Sequence, residues 1–196
     1  VGVGKAAEYG ALIRQGDALQ TAGKLDLVIL DKTGTITEGH PAVTRVHASD
    51  GEEQRLLALA AGLEQHSEHP LAEAILAKAK EKSVQLEKLT GFEALNGKGV
   101  QGELDGKPVR LGNRRWLEDQ GVALGDLDDA AHSITQEAGT PLFLALGTEA
   151  LGVIGVADAI KPDSKAAIQR LHKAGIKVMM VTGDVDATAK AIAKKA

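Results

Sequence analysis

An aspartate that closes a short apolar run and opens a Gly/Thr-rich turn is well set to act as a nucleophile toward phosphorus. Asp31 follows Leu27-Val28-Ile29-Leu30 and precedes Lys32-Thr33-Gly34-Thr35. Its carboxylate therefore meets a loop whose amides can surround a phosphate and beside which Mg²⁺ can sit. The string from Asp31 to Thr35 is far more specific than an acid that merely caps the end of a strand. A second turn, Thr182-Gly183-Asp184, ends another apolar run over 176–181. A Thr-Gly-Asp turn is common for structural reasons alone, and its position after a second strand is what singles it out.

These turns need elements to hold them. The run before Asp31 has the look of a buried parallel strand feeding a loop. The pattern over 163–174 predicts a helix leading into the strand at 176–181. In open α/β sheets, ligands lie at the carboxyl ends of strands, so the two turns are expected side by side, facing one crevice. Between them the texture changes. Helices are expected over 52–63 and 71–82, and short strands over 99–104 and 107–111 joined by Asp105-Gly106, a two-residue hairpin signal. A helix over 125–137 and a strand over 141–146 complete this stretch, and 151–156 leads the chain back. The division expected is 1–41 and 147–196 for one α/β domain, incomplete, and 42–146 for an inserted α+β domain.

Composition narrows the classes. Of 196 residues, 43% are hydrophobic and 26% charged, with 23 glycines, which fits a folded α/β protein. A formal net charge of −4 and 2% aromatics argue against a nucleic-acid surface. With no cysteine there is neither a disulfide nor a thiolate metal site. The longest apolar stretches, at 56–63 and 151–156, fall short of the ~20 residues that span a bilayer. Val1-Gly2-Val3-Gly4 is no signal peptide, and so abrupt a start suggests an excised piece. His66 and His69, three apart, lack a third ligand of suitable spacing for zinc. His40, His47, His132 and His172 are scattered and read as surface residues.

Asp31-Lys32-Thr33-Gly34-Thr35-Ile36-Thr37 resembles the phosphorylation motif of P-type ATPases, members of the haloacid dehalogenase-like superfamily. Ser67-Glu68-His69-Pro70 with Glu64 upstream, Gly97-Lys98-Gly99, and Gly112-Asn113-Arg114 resemble the signature of the heavy-metal, copper-transporting branch. The resemblance covers nearly the whole chain, with 5–25 similar to the family's passage from a membrane helix into the phosphorylation domain. It implies a Rossmann-type phosphorylation domain with an inserted nucleotide-binding domain. It also implies ATP and Mg²⁺ as cofactors, with Asp31 and Thr33 on the metal, and an aspartyl phosphate at Asp31, with Lys32 and Thr33 setting the acceptor loop. Thr182 and Gly183 would hold phosphoryl oxygens and Asp184 would work near the nucleotide. Glu64 and His69, with Ser67 and Pro70 in the same motif, would orient the adenine; Gly97 and Gly99 would let backbone approach the ligand, and Asn113 would assist near the sugar. Asp158, in Asp158-Ala159-Ile160-Lys161-Pro162, has two readings: a hinge or nucleotide role, or simple helix initiation, because Lys-Pro-Asp-Ser also reads as a helix start.

Many soluble phosphatases of that superfamily carry a second aspartate two positions after the nucleophile, where this chain has Thr33. A hydroxyl does not shuttle protons near neutral pH as a carboxyl does, so the phosphoenzyme should persist, as a pump requires. The family's downstream lysine and Gly-Asp-Gly-x-Asn-Asp loop lie beyond Ala196, so the run 27–30 is expected to be an edge strand that favours self-association. The implied whole is a multi-pass membrane exporter of Cu⁺, with Ag⁺ or Zn²⁺ as alternative cargo through transmembrane helices outside this sequence, and this part on the cytoplasmic side. Two other readings stand beside it: a soluble phosphatase or phosphotransferase of the same superfamily, and a nucleotide-binding fragment without turnover.

Overall fold

The computed structural model describes residues 2–183 and 186–196. Two short helices, α1 (Gly2–Glu8) and α2 (Gly16–Ala22), lead to β1 (Leu27–Asp31), the turn 32–36, and the long strand β2 (Thr37–Ala48). The helical pair α3 (Glu53–Glu64) and α4 (Pro70–Glu81) follows, then β3 (Thr90–Leu95), β4 (Gly99–Leu104), β5 (Lys107–Gly112) and α5 (Arg114–Asp119). A single 3₁₀ turn precedes α6 (Asp128–Gln136), and the chain returns through β6 (Thr140–Leu146), β7 (Glu149–Ile160), α7 (Ser164–Lys173), β8 (Lys177–Val181) and α8 (Asp186–Lys195).

Six strands form an antiparallel sheet in the order β2-β7-β6-β5-β4-β3. Side chains alternate across such a sheet, and here both faces are covered. Leu144 and Ile154 face α3 and α4, where they pack with Leu59, Leu63 and Ile75. Their chain neighbours Phe143 and Val153 face the other way, onto Trp116, Leu117, Leu127 and Ile134 of the α5–α6 layer. At the β4–β5 hairpin, Asp105 and Gly106 both take positive φ, 50° and 76°, the geometry of the turn expected there. The strands of this sheet run from Thr37 to Ile160. The expected limits at 42 and 146 thus cut through β2 and through the β6–β7 hairpin.

The second sheet has two strands, β1 and β8, parallel, with Asp31 level with Val181. This pairing brings the turn after Asp31 beside the turn at Thr182-Gly183. The run before Asp31 is parallel as expected but is not buried: Ile29 is 59% exposed and its neighbour Met179 51%. Among the described residues no layer covers that face, so the alternation leaves Leu27, Ile29, Met179 and Val181 in the open.

Where the two sheets meet, one side chain gathers the chain crossings. Asp158, near the end of β7, accepts hydrogen bonds from the Thr37 hydroxyl (2.6 Å), the Gly39 amide (3.0 and 3.1 Å to its two oxygens) and the His40 amide (3.2 Å). Thr37 Oγ1 in turn donates toward the Lys32 carbonyl oxygen or Asp158, 3.0 Å from the former. Three residues on, Lys161 Nζ donates to the Gly34 carbonyl at 2.6 Å, and the buried Ser164 hydroxyl donates to that of Ile36 at 2.7 Å. Asp158 is therefore a clamp within β7, and the helix start read in Lys-Pro-Asp-Ser is that of α7, which begins at Ser164. Asp158→Asn turns one acceptor into a donor facing donors, and should cost about 2 kcal/mol in denaturant unfolding. The same variant should speed amide exchange at Gly39 and His40; unchanged stability and exchange would contradict the clamp.

Candidate functional site

Two adjoining hollows collect the residues singled out in the sequence. The first is a cavity of about 470 Å³ between the start of α4, the β3–β4 turn and β6. Its walls include Glu64, Ser67, His69, Gly97, Gly99 and Asn113, together with Leu71, Lys98 and Thr140. The second, also about 470 Å³, is a crevice that joins the two sheets and is lined by Lys32, Thr33, Gly39, Asp158, Thr182 and Gly183. His69, Leu71 and Thr140 line both, so the hollows share a wall. Pro70 lies in the crevice lining only. Asp31 stands exposed at the end of β1, one residue before Lys32. Asp184 lies outside the described residues.

Local structure explains how each wall is held. His69 caps α4: its Nδ1 accepts the Leu71 amide at 3.2 Å, and Pro70 occupies the first helical position, where its missing N–H is not needed. The ring's Nδ1 is thereby an acceptor, which in the neutral imidazole leaves Nε2 as the N–H. His69 thus both starts α4 and lines the cavity. Ser67 holds the approach, its hydroxyl accepting from the His69 amide at 3.3 Å.

Glu64 ends α3 and is only 5% exposed. Its Oε2 is buried with no hydrogen-bond partner. Burial pushes its pKa above the ordinary carboxylate value, a rise only partly countered by a hydrogen bond with the Ser67 side chain. A buried acid oxygen without a partner is costly, and its presence on a cavity wall marks a place where a ligand donor is wanted.

The two glycines of Gly97-Lys98-Gly99 do different work. Gly97 turns the chain at φ 69°, and a side chain there would meet nothing within 4 Å. Gly99 has φ 150°, and a Cβ would come within 2.1 Å of the Leu111 carbonyl oxygen. The second glycine is thus required by the close approach of β4 to β5, opposite Gly112. Asn113 is engaged at both ends of its amide: Oδ1 accepts from the Trp116 amide at 2.9 Å, capping α5, and Nδ2 donates to the Gly97 carbonyl at 2.7 Å. It fixes the glycine turn against α5 and so shapes the cavity rim.

Asp31 and Thr33 are the residues about the turn 32–36 that could hold Mg²⁺. Asp31 offers a carboxylate and Thr33 an oxygen, but among the described residues no group of three or more His, Cys, Asp or Glu side chains comes together. His66 instead lies against the Phe92 ring at 5.8 Å. Several residues of the site carried too little signal to be found in the sequence. Thr140 and Leu71 read as ordinary strand and helix residues, and Gly39, Lys161 and Ser164 act on partners more than a hundred positions away.

The profile of the haloacid dehalogenase-like hydrolases matches residues 25–196, and the chain belongs to that family. Within it, the relatives are copper-transporting P-type ATPases. The chain is 46% identical, over 99% of its length, to a copper-transporting P-type ATPase of Rhizobium leguminosarum bv. viciae, of which it covers 23%. Among solved structures it is similar to a zinc-transporting PIB-type ATPase in the E2.Pi state, with a TM-score of 0.74 and 32% identity over 99% of this chain and 32% of that one. It is also similar to the catalytic domain of the CPx-ATPase CopB-B, solved in a study of nucleotide binding, with a TM-score of 0.70 and 25% identity over 98% of this chain and 66% of that one. The chain spans about a quarter of the length of the curated relatives it matches.

The burial of Glu64 has a consequence for stability. Its folded pKa lies above the unfolded value, so its full contribution is present below the ordinary carboxylate pKa and is lost as pH rises through the raised value. Glu64→Gln, which carries no charge at any pH, should therefore melt higher than the native chain at pH 7 and alike at pH 4. A native chain that is the more stable one at pH 7 would show that Glu64 is well paired.

Proposed function

We propose that this chain is the nucleotide-binding and phosphoryl-accepting part of a copper(I)-exporting P-type ATPase, lying on the cytoplasmic side of the membrane that the whole protein spans. The observation that carries the reading is the shared wall of the two hollows. A ligand whose base fills the first cavity, against the unpartnered Glu64 Oε2 and His69, can extend past Thr140 into the crevice that holds Lys32, Thr33, Thr182 and Gly183. Adenine suits the cavity because its exocyclic amine donates where Glu64 lacks a donor, and its faces are apolar. A third hollow, beyond Asn113, offers a competing route for the phosphates. It is lined by Arg114 and Arg115 but also by Glu118, Asp128 and Asp129, and Arg114 is already paired with Glu118 and Asp128. Acids outnumber bases there, which turns a triphosphate toward the crevice.

In this reading Asp31 Oδ attacks the γ-phosphorus, forming an acyl phosphate as the bond to the ADP oxygen breaks. Lys32 and the loop amides neutralise and orient the transferred group. Mg²⁺ supplies further charge neutralisation when bound, with Asp31 and Thr33 as two of its donors. The soluble phosphatase reading is disfavoured by Thr33, which offers no carboxyl to activate water. Copper as cargo rests on the named activity of the relatives and not on a residue of this chain.

ATP binding tests the proposal. His69→Asn keeps a good capping residue at the start of α4 while removing the ring, and should weaken ATP about tenfold in calorimetric titration, roughly 1.4 kcal/mol. Gly99→Val is unsuited to this purpose, since it breaks the β4–β5 approach and with it the fold. Unchanged ATP affinity in both His69→Asn and Glu64→Gln would remove the cavity from the account.

A further inference from the structure

Helix α8 begins three residues after Gly183, and it packs against α6. Thr188, Ile192 and Lys195 stand at positions i, i+4 and i+7, one face of the helix. The Thr188 hydroxyl, 1% exposed as a residue, donates to the Gly139 carbonyl at 3.3 Å, and Ile192 is 3% exposed. Lys195 Nζ donates to the Glu137 carbonyl at 2.8 Å. Residues 137–139 follow the last residue of α6, at the end where the helix dipole is negative. The last turn of α6 carries no basic residue of its own, so the cation comes from α8. The same turn is set by Ala138 in the left-handed region, at φ 66°, and by the Glu137 carboxylate on Arg45 of β2 at 3.1 Å.

We propose that α8 is a strap that holds the six-stranded sheet against the Thr182-Gly183 turn. The junction clamped by Asp158 also joins the two sheets. With the strap in place, the crevice is bounded on one side by the clamp residues Gly39 and Asp158 and on another by Thr188 and Ile192. Because Gly139 adjoins Thr140, the residue common to both hollows, docking of α8 fixes the turn over the path from cavity to crevice. Separation of the sheets then requires the strap to let go, and its release moves the turn away from that path. This goes beyond the nucleotide reading and does not depend on it.

The chain has no cysteine, so a single introduced thiol reports cleanly. Ile192→Cys places a thiol under the strap, and Lys194→Cys places one on the exposed side of the same helix. Maleimide should label Ile192→Cys at least tenfold more slowly than Lys194→Cys. Adding Lys195→Glu or Thr188→Val to Ile192→Cys should speed labelling at least fivefold, while Lys195→Arg should leave it unchanged. Amide exchange at Gly183 should rise with the same two substitutions, and the core amides of α3 should not. Equal labelling of the two thiols, or a rate for Ile192→Cys indifferent to both Lys195→Glu and Thr188→Val, would overturn the strap.

Discussion

The carboxylate of Asp158 is the constraint on which the arrangement rests. A buried or half-buried acid is stable only where donors surround it, and here those donors are the Thr37 hydroxyl and the amides of Gly39 and His40. They come from the strand that leaves the turn after Asp31, while Asp158 sits on the strand that returns. Satisfying one charge therefore pins both crossings between the two sheets. Lys161 and Ser164, just downstream, carry the restraint into the loop through the carbonyls of Gly34 and Ile36. The geometry of the turn after Asp31 is thus set from a position more than a hundred residues away.

From that junction the division of labour follows. The six-stranded sheet is sandwiched between two helical layers, which makes it a rigid support for a cavity at one end. Its rim depends on backbone as much as on side chains: the close approach at Gly99, the turn at Gly97 held by Asn113, and the cap of α4 by His69. Glu64 bears an energetic burden that folding alone does not justify, since its buried oxygen has no partner. Binding sites are where such costs are retained. The β1–β8 pair, by contrast, contributes position and leaves Ile29 and Met179 exposed.

Much of this was legible in the sequence where chemistry and local pattern coincide. The apolar run ending at Asp31, the hairpin at Asp105-Gly106 and the helix expected over 71–82, found as Pro70–Glu81, each rest on neighbours in the chain. The strand β2 was not legible, because Gly39, Pro41 and bulges between Thr37 and Arg45 break its alternation. β3 and α5 are six residues each, too short for a periodic signal. Exposure of Ile29 contradicts an expectation from hydrophobicity alone, which carries no knowledge of what covers a strand. The place of Asp158 in the sheet was visible only once β2 and β7 were seen to pair. Gly99 shows the same limit: a glycine in a ligand motif can be required by the strand beside it.

The central claim is that Asp31, next in the chain to Lys32 of the crevice wall, receives the phosphoryl group of a nucleotide seated against Glu64 and His69. Its most direct test is incubation with γ-labelled ATP of a chain extended to the length of the P-type ATPase relatives, followed by identification of the labelled residue. The account predicts a hydroxylamine-sensitive label on Asp31, lost in Asp31→Asn. A label that survives in Asp31→Asn, or that resists hydroxylamine, would contradict it.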